Sequence, residues 1–346
     1  MGSSAQFDLD AMFRDAERKR LCAIPSDKRA NELMRRAVAA GVAVRPARGM
    51  YARADRWRAL SREQQAVSVL RTMQRLHPAW TFACESAGVM FGLPVARADL
   101  DEVHVATSPV NRKRSAGGVK RHRVEGDAAV FVDGVRVTSF DRTVFDCMRR
   151  SSFGQALAVA DAALRLANRS SRSFAARFRS FGVRSRGAWR AERTMLYADA
   201  RSESGGESLA RAAMIELGFC LPELQVQLAD PVDPRRSYRV DFAWLLPRGG
   251  FVIGEFDGME KYENTRMRNG RSPIRVLADE QHRESRLSLY GAPIVRFSYA
   301  DVMDRARFQS ILEGYGIPRS DRAASFERLM VARKKRSAVI NMVVPL

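Results

Sequence analysis

The sequence predicts a multidomain protein of α+β / α/β class, and three observations support this prediction. Apolar residues in the first part of the chain have helical spacing, and the middle part alternates short strands with helices. The last part has the order helix, three strands, helix, strand, which is typical of a mixed sheet flanked by helices. The chain has 346 residues, of which 46% are hydrophobic, enough for two or three packed cores.

The charge balance favours a polyanionic partner. The chain has 59 Lys and Arg residues against 39 Asp and Glu residues, which gives a formal net charge of +20. Such an excess favours nucleic acid first and an anionic membrane surface second. Arginine-rich codon usage explains arginine in place of lysine, but it does not explain the excess of basic over acidic residues.

Cysteine usage and hydropathy indicate a cytoplasmic protein with no membrane partner. Cys22, Cys84, Cys147 and Cys220 are far apart, form no CxxC pair and have no adjacent histidine, so we expect no zinc site. Scattered single cysteines are typical of a reducing compartment. No apolar run approaches the length of a membrane span, and residues 1–10 lack the regions of a signal peptide.

Residues 1–60 are predicted to form a winged helix-turn-helix. Helical spacing begins at Phe7, a second helix follows the cap residue Asp27, and a β-rich stretch comes next. Arg45 and Arg48 lie beside the turn of this stretch. In a winged helix the second helix enters the major groove and the hairpin contacts phosphate, so both arginines are predicted to bind nucleic acid. The alternative is a plain helical lobe followed by a hairpin.

Residues 61–167 are predicted to form a small α+β region, with a hairpin turn at Asp133-Gly134. A basic loop leads into a basic strand within it. This segment is predicted to contact phosphate, and the equal alternative is an edge strand protected by charge. Its basic residues are Arg112, Lys113, Arg114, Lys120 and Arg121. The arginine-rich residues 168–203 are predicted to be a basic linker, partly helical, at the main domain boundary.

Acidic residues on two neighbouring apolar strands mark the last lobe, residues 204–318, which precedes a tail at 319–346. If the strands pair around the turn between them, Asp241 and Glu255 lie almost opposite each other, with Cβ atoms about 5 Å apart. Two carboxylates this close can share Mg²⁺ or Mn²⁺. Asp257 has the same parity as Glu255, and Lys261 follows as a candidate for stabilising charge in phosphodiester hydrolysis.

These segments resemble the PD-(D/E)XK nuclease superfamily, and more closely the endonuclease-like domain DUF559, which is related to very-short-patch repair endonucleases. The resemblance covers about residues 204–304. The matching segments are Gly206-Glu207-Ser208, Val240-Asp241-Phe242, Gly254-Glu255-Phe256-Asp257-Gly258 with Lys261-Tyr262, Asp279-Glu280 to Arg283-Glu284 with Leu287, and Val295-Arg296-Phe297. The N-terminal half is similar to the AbiEi-type antitoxin domains that precede DUF559, a resemblance of layout more than of motif.

The resemblance implies a restriction-endonuclease-like fold in which Asp241 and Glu255 hold Mg²⁺ or Mn²⁺ and Glu207 is an auxiliary acid. The sequence departs from the E-x-K motif of the superfamily, because its third position is Asp257 and the lysine is displaced to Lys261. The similarity to AbiEi-type domains implies binding of operator DNA, and a cognate toxin or other protein as a partner.

The expected function is that of a DNA-binding protein whose C-terminal lobe is a metal-dependent endonuclease. The alternative is a non-catalytic transcriptional regulator or antitoxin of AbiEi type with a degenerate nuclease fold. A third interpretation is a partner that neutralises a toxin through the middle region. Each acid also has a structural alternative, which is helix capping for Glu207, and for Asp241 and Glu255 an ion pair with Arg239, Arg283 or Arg296.

Overall fold

The structure is a computed structural model that describes residues 3–107, 117–181, 185–233, 235–247, 249–257 and 273–320. The chain divides into two compact units. The first unit consists of Met1–Arg150 and Arg172–Arg193, and the second consists of Ser151–Ser171 and Thr194–Leu346. Each unit contains both helices and strands, so the predicted mixed class is confirmed.

Helices and strands follow one another along the chain much as the sequence predicts. The helices are α1 (Ser3–Arg18), α2 (Lys28–Ala39), α3 (Ala54–Ala59), α4 (Arg62–Leu76), α5 (Cys84–Met90), α6 (Phe140–Arg150), α7 (Phe153–Ala167), α8 (Ser171–Ser180), α9 (Ala188–Met195), α10 (Gly205–Leu217), α11 (Pro273–Ser288), α12 (Tyr299–Met303) and α13 (Arg305–Gly314). The strands are β1 (Ala43–Ala47), β2 (Met50–Arg53), β3 (Val103–Thr107), β4 (Val119–Arg123), β5 (Val130–Val132), β6 (Val135–Val137), β7 (Glu223–Ala229), β8 (Ser237–Leu245), β9 (Phe251–Asp257) and β10 (Ile294–Ser298).

The N-terminal part of the first unit has two helices followed by a hairpin, in the predicted order. The carboxylate of Asp27 caps α2 by accepting a hydrogen bond from the Ala30 N–H at 2.8 Å. β1 and β2 pair antiparallel around Gly49, whose φ of +76° favours glycine. Apolar residues of α1, α2 and the hairpin share one core, which includes Phe13 and Tyr51.

The remaining strands of the first unit form a parallel pair and a second hairpin. β3 and β4 are parallel, and Ala106 lies opposite His122. β5 and β6 pair antiparallel, and the predicted turn joins them with positive φ at Asp133 and Gly134. Phe82 forms isolated bridges to a residue of β3 and to a residue of β6, and thereby joins the two strand pairs.

α7 belongs to the second unit, whereas the sequence analysis placed residues 61–167 in one middle region. The physical reason is its packing on α10. Leu157 of α7 shares a buried cluster with Ala212 and Ile215 of α10. Gly154 permits the close approach, because a Cβ there would lie 3.1 Å from the side chain of Leu209.

Residues 168–203, predicted as a basic linker, contain packed helices. Phe174 and Phe178 of α8 are buried in the first unit, and the Phe178 ring lies 5.3 Å from the Phe145 ring. Aromatic residues spaced along one helical face therefore anchor this segment. The high arginine content hid that pattern, because the arginines occupy the other positions of the helix.

The second unit contains one mixed sheet of four strands in the order β10-β9-β8-β7. β7, β8 and β9 are antiparallel neighbours, and β10 is parallel to β9. Phe242 pairs with Gly254, and Trp244 with Val252, which is the register that the sequence analysis predicted. α10 begins at the cap residue Ser204 and ends at Gly218, whose φ is +79°.

Among the described residues, no helix combines the length and the apolar character that crossing a membrane requires.

Candidate functional site

The first turn of α10 lies directly against the sheet of the second unit. A Cβ on Gly206 would lie 2.1 Å from the Phe256 ring, so only glycine allows this contact. The contact brings the next residue, Glu207, into the interior, where it is 1% exposed. Ser204 caps the helix by accepting a hydrogen bond from the Glu207 N–H at 3.1 Å.

Glu207 and Asp241 are joined through the side-chain amide of Gln225. The Nε2 of Gln225 donates to Glu207 Oε2 at 3.0 Å and to Asp241 Oδ1 at 3.4 Å. Glu207 Oε2 also accepts from the Glu203 N–H at 2.9 Å. Gln225 has a φ of +52°, in the left-handed region that is unfavourable for a residue with a side chain. Gln225 therefore donates hydrogen bonds to both acids from a strained backbone position in β7.

Asp241 lies where the ladder between β8 and β9 ends. The last pair of that ladder is Phe242 with Gly254, and the Asp241 carboxylate then accepts the Phe256 N–H at 3.0 Å. A side chain thus replaces the backbone carbonyl that would continue the ladder. Asp241 is 8% exposed and makes no ion pair among the described residues. The capping alternative for Glu207 is met only in part, because Ser204 accepts the Glu207 N–H while the Glu207 carboxylate accepts from Glu203 and not from the cap residue. No ion pair among the described residues accounts for Asp241.

Glu255 and Asp257 lie on the last residues of β9. The Oε1 of Glu255 accepts a hydrogen bond from Arg283 Nη2 of α11 at 2.6 Å, so an ion pair considered in the sequence analysis is present at this residue. The same guanidinium donates to the Arg239 carbonyl at 2.7 Å. Asp257 is partly buried and lies opposite Ser298 of β10. The structure therefore brings Glu207 and Asp241 together and gives Glu255 a cationic partner.

The basic residues predicted to bind nucleic acid differ in their availability. Arg45 and Arg48 are exposed on the β1–β2 hairpin. In contrast, Lys120 forms an ion pair with Glu102, and the guanidinium of Arg121 lies 5.5 Å from the centre of the Trp80 ring. Of the other predicted residues, Arg112, Lys113, Arg114 and Lys261 lie outside the described residues.

A second candidate centre, not predicted from the sequence, lies in the first unit. Cys84, His104 and His122 have ligand atoms within 4.8 Å of one another, and they are the one set of three potential metal ligands that meets this distance among the described residues. The signal in the sequence is weak, namely one histidine on each of two predicted strands. Recognising the set also required the parallel register of β3 and β4, which sequence spacing does not supply.

Burial dominates the electrostatics of this centre. Burial, together with the charge of the nearby Arg150 guanidinium, lowers the pKa of His122 to about 4. It also raises the pKa of Cys84 well above its ordinary value, and the carboxylates of Asp146 and Glu85 add to that effect. His122 is therefore neutral near pH 7, and the Cys84 thiol is neutral as long as no metal ion is bound.

Comparison with known proteins gives relatives without an assigned function. No protein-family model matches the chain. Two uncharacterized proteins of Mycobacterium tuberculosis, MT2308 of strain CDC 1551 / Oshkosh and Rv2248 of strain H37Rv, are each 35% identical over 152 residues, which is 44% of this chain. The chain spans about half the length of these relatives, since the match covers 54% of each.

Proposed function

We propose that this protein binds duplex DNA and that its second unit hydrolyses phosphodiester bonds with the help of a divalent cation. The observation that carries the proposal is Asp241, a buried carboxylate that neutral donors hold in place. It lies where the pairing of β8 and β9 ends, which we call the fork. Glu207 shares the Gln225 amide with it. Buried negative charge of this kind is costly unless a cation offsets it, so the arrangement is suited to a metal.

The carboxylate oxygens at the fork are ligands of the kind that Mg²⁺ and Mn²⁺ prefer. Asp241 and Glu255 would hold the ion, with Glu207 as the auxiliary acid, as the resemblance to PD-(D/E)XK nucleases implies. A bound divalent ion lowers the pKa of water and neutralises the scissile phosphate. Gln225 keeps the two buried carboxylates in place, while Asp257 and Lys261 stay predicted catalytic residues at the end of β9 and beyond it.

Arg45 and Arg48 support the DNA-binding part of the proposal. Both are exposed at a hairpin that follows two helices, and the chain carries a net charge of +20. Exposed arginines on such a hairpin are suited to phosphate contacts. Lys120 and Arg121 are less available for this role, because each already has a partner within the first unit.

Cleavage of supercoiled plasmid tests the catalytic part. We expect nicking with Mg²⁺ or Mn²⁺ and none with EDTA. Asp241→Ala should abolish nicking while DNA affinity is unchanged or higher, because it removes negative charge from the site. Glu223→Gln is the matched control, since Glu223 is exposed on β7 and its loss should leave nicking intact. Nicking by Asp241→Ala at the wild-type rate would refute the assignment.

Salt titration of duplex binding tests the DNA-contacting hairpin. Replacing both Arg45 and Arg48 with alanine should weaken binding to every duplex sequence and lower the salt slope of log K by about 2. Replacing Arg235 and Arg236 removes the same charge from an exposed site in the second unit and serves as the control. Equal slopes for the two double variants would place DNA contact elsewhere.

The ion pair between Arg283 and Glu255 favours a second candidate function, a non-catalytic DNA-binding regulator of AbiEi type. In that case the guanidinium takes the place of the metal at Glu255. Arg283→Gln discriminates between the two. For a nuclease it removes this ion pair from Glu255 and should strengthen stabilisation by Mg²⁺, whereas for a regulator neither the wild type nor the variant should respond to Mg²⁺. A cognate toxin stays a predicted partner of this second candidate.

A further inference from the structure

We propose that Cys84, His104 and His122 bind one Zn²⁺ ion, which links α5 to the β3–β4 pair in the first unit. The three residues come from α5, β3 and β4, and their ligand atoms lie within 4.8 Å of one another. A thiolate with two imidazoles suits Zn²⁺ and does not suit Mg²⁺, which prefers oxygen ligands. This centre is therefore chemically distinct from the acidic site of the second unit.

The spacing of the two imidazoles matches that of two ligands on one zinc ion. His122 Nε2 lies 3.1 Å from His104 Nδ1. Nitrogen ligands about 2.0–2.1 Å from zinc in a tetrahedral site are about 3.3 Å apart. His104 is 2% exposed and Cys84 is fully buried, so the ion would be closed off from solvent except on the side of His122. A closed site of this kind is typical of structural zinc.

Without a metal ion, this centre leaves a buried carboxylate oxygen without a hydrogen-bond partner. Arg150 Nη1 lies 3.4 Å from His122 Nδ1, and a guanidinium can only donate, so while Arg150 holds this position the matching tautomer of His122 has its proton on Nε2, towards His104 Nδ1. The Glu85 Oε2 then faces the same Nδ1 at 2.8 Å across two lone pairs. Although this contact is short, the oxygen has no directed hydrogen bond.

A cation in place of the shared proton resolves the conflict at His104. Glu85, whose side chain is 6% exposed, would then face positive charge, either as a fourth ligand or beside one. Arg150 has to turn away from His122 to allow this. Its side chain is 35% exposed, and Glu85 Oε1 lies 3.9 Å from its Nε, so the movement needs no rearrangement of the core.

The backbone holds the thiol beside the histidines. The Ala83 N–H donates to the His104 carbonyl at 2.9 Å, and the His104 N–H donates to Ser86 Oγ at 2.9 Å. Cys84 lies between these two contacts with a φ of +50°, which is strained for any residue other than glycine. Strained positions of this kind are over-represented at ligand sites.

Metal analysis with spectroscopy tests the proposal on the full chain. Protein made with added Zn²⁺ should retain about one zinc per chain by mass spectrometry after dialysis. After exchange with Co²⁺ it should show a thiolate-to-cobalt charge-transfer band and the intense visible bands of tetrahedral cobalt. Cys84→Ser should lose the charge-transfer band, and His122→Ala should reduce the zinc content at least tenfold.

A histidine and a cysteine outside this centre provide the controls. His282→Gln and Cys220→Ser should each retain full zinc content, because His282 is exposed and Cys220 lies in the second unit. Circular dichroism checks the folding of each variant, and His122, which is only partly buried, is the site where a substitution is best tolerated. Wild-type protein without stoichiometric zinc, or cobalt spectra without a thiolate band, would overturn the proposal.

Discussion

Asp146 in the first unit and Asp241 in the second are both buried, at 0% and 8% exposure, but their charges are met in different ways. Asp146 accepts hydrogen bonds from the Nε atoms of Arg142 and Arg149, each at 2.6 Å. Asp241 accepts from the Phe256 N–H and a side-chain amide, and no cation is paired with it among the described residues. The first carboxylate therefore has two cationic partners, whereas the second is held by neutral donors.

Asp161 of the second unit is intermediate between these two. It accepts from Arg211 Nη1 and from the Asp199 N–H, both at 2.7 Å. Burial still raises its pKa to about 6, although the Arg211 charge acts in the opposite direction. The series suggests that the number of paired arginines separates structural acids from acids that are available to a ligand. Three of the following four experiments test that distinction, and the other tests the packing that brings Glu207 towards Asp241.

The largest expected effect on stability follows from removing the Asp146 carboxylate, which pairs with two arginines. Asp146→Ala should destabilise the first unit by about 3–5 kcal/mol, because it leaves two largely buried arginines without an anionic partner. Urea unfolding followed by tryptophan fluorescence measures this, since Trp57, Trp80 and Trp189 are in the first unit. Asp99→Ala, at an exposed residue of the same unit, should change stability by less than about 0.5 kcal/mol. Similar losses in both variants would contradict the role of Asp146.

The next effect concerns the glycine that brings Glu207 towards Asp241. Gly206→Ala should destabilise the second unit by about 3 kcal/mol, because its Cβ would overlap the Phe256 ring. Hydrogen-exchange mass spectrometry reads this unit separately from the first. Gly314→Ala is the control, since a Cβ there meets no atom within 4 Å and alanine favours the helix. If Gly206→Ala is as stable as Gly314→Ala, the packing of α10 on β9 is wrong.

The pH dependence of stability tests the intermediate case, Asp161. Because its pKa is raised from 3.8 to about 6 in the folded state, the folded protein binds the proton more tightly than the unfolded chain. The stabilisation that comes from this tighter proton binding is fully present below pH 3.8. It is lost as the pH rises through about 6, by up to about 3 kcal/mol. The difference between wild type and Asp161→Asn in urea unfolding at pH 4 to 7 should follow this course. A difference independent of pH would show that the pKa is not raised.

The smallest effect on stability, and the sharpest contrast with Asp146, is expected for Asp241→Asn. The amide oxygen can still accept the Phe256 N–H, so unfolding should change by less than about 1 kcal/mol. Stabilisation of the wild type by Mg²⁺ at ten times its dissociation constant should be about 1.4 kcal/mol, and the variant should lose it. Thermal unfolding with Mg²⁺ and with EDTA measures both quantities. A variant that keeps the response would place the ion elsewhere.

Local patterns in the sequence were sufficient to predict the helices and strands of the last lobe, residues 204–318. The order of its elements, the cap at Ser204 and the register that pairs Phe242 with Gly254 all follow from contiguous segments and one turn. Gly254 also has an explanation within this hairpin, since a Cβ there would lie 2.6 Å from the Trp244 ring. What the sequence left undecided is the pairing of Glu255, which depends on where α11 places Arg283.

The sequence by itself determined the mixed class, the two helices and hairpin at the N-terminus, and the position of the acids on adjacent strands. These features depend on periodicity, capping and turn chemistry, which act between near neighbours in the chain. The tertiary structure decided that α7 packs in the second unit and that Cys84, His104 and His122 meet. Those contacts join segments whose pairing is set by side-chain packing and strand register over long separations, and no local pattern encodes them.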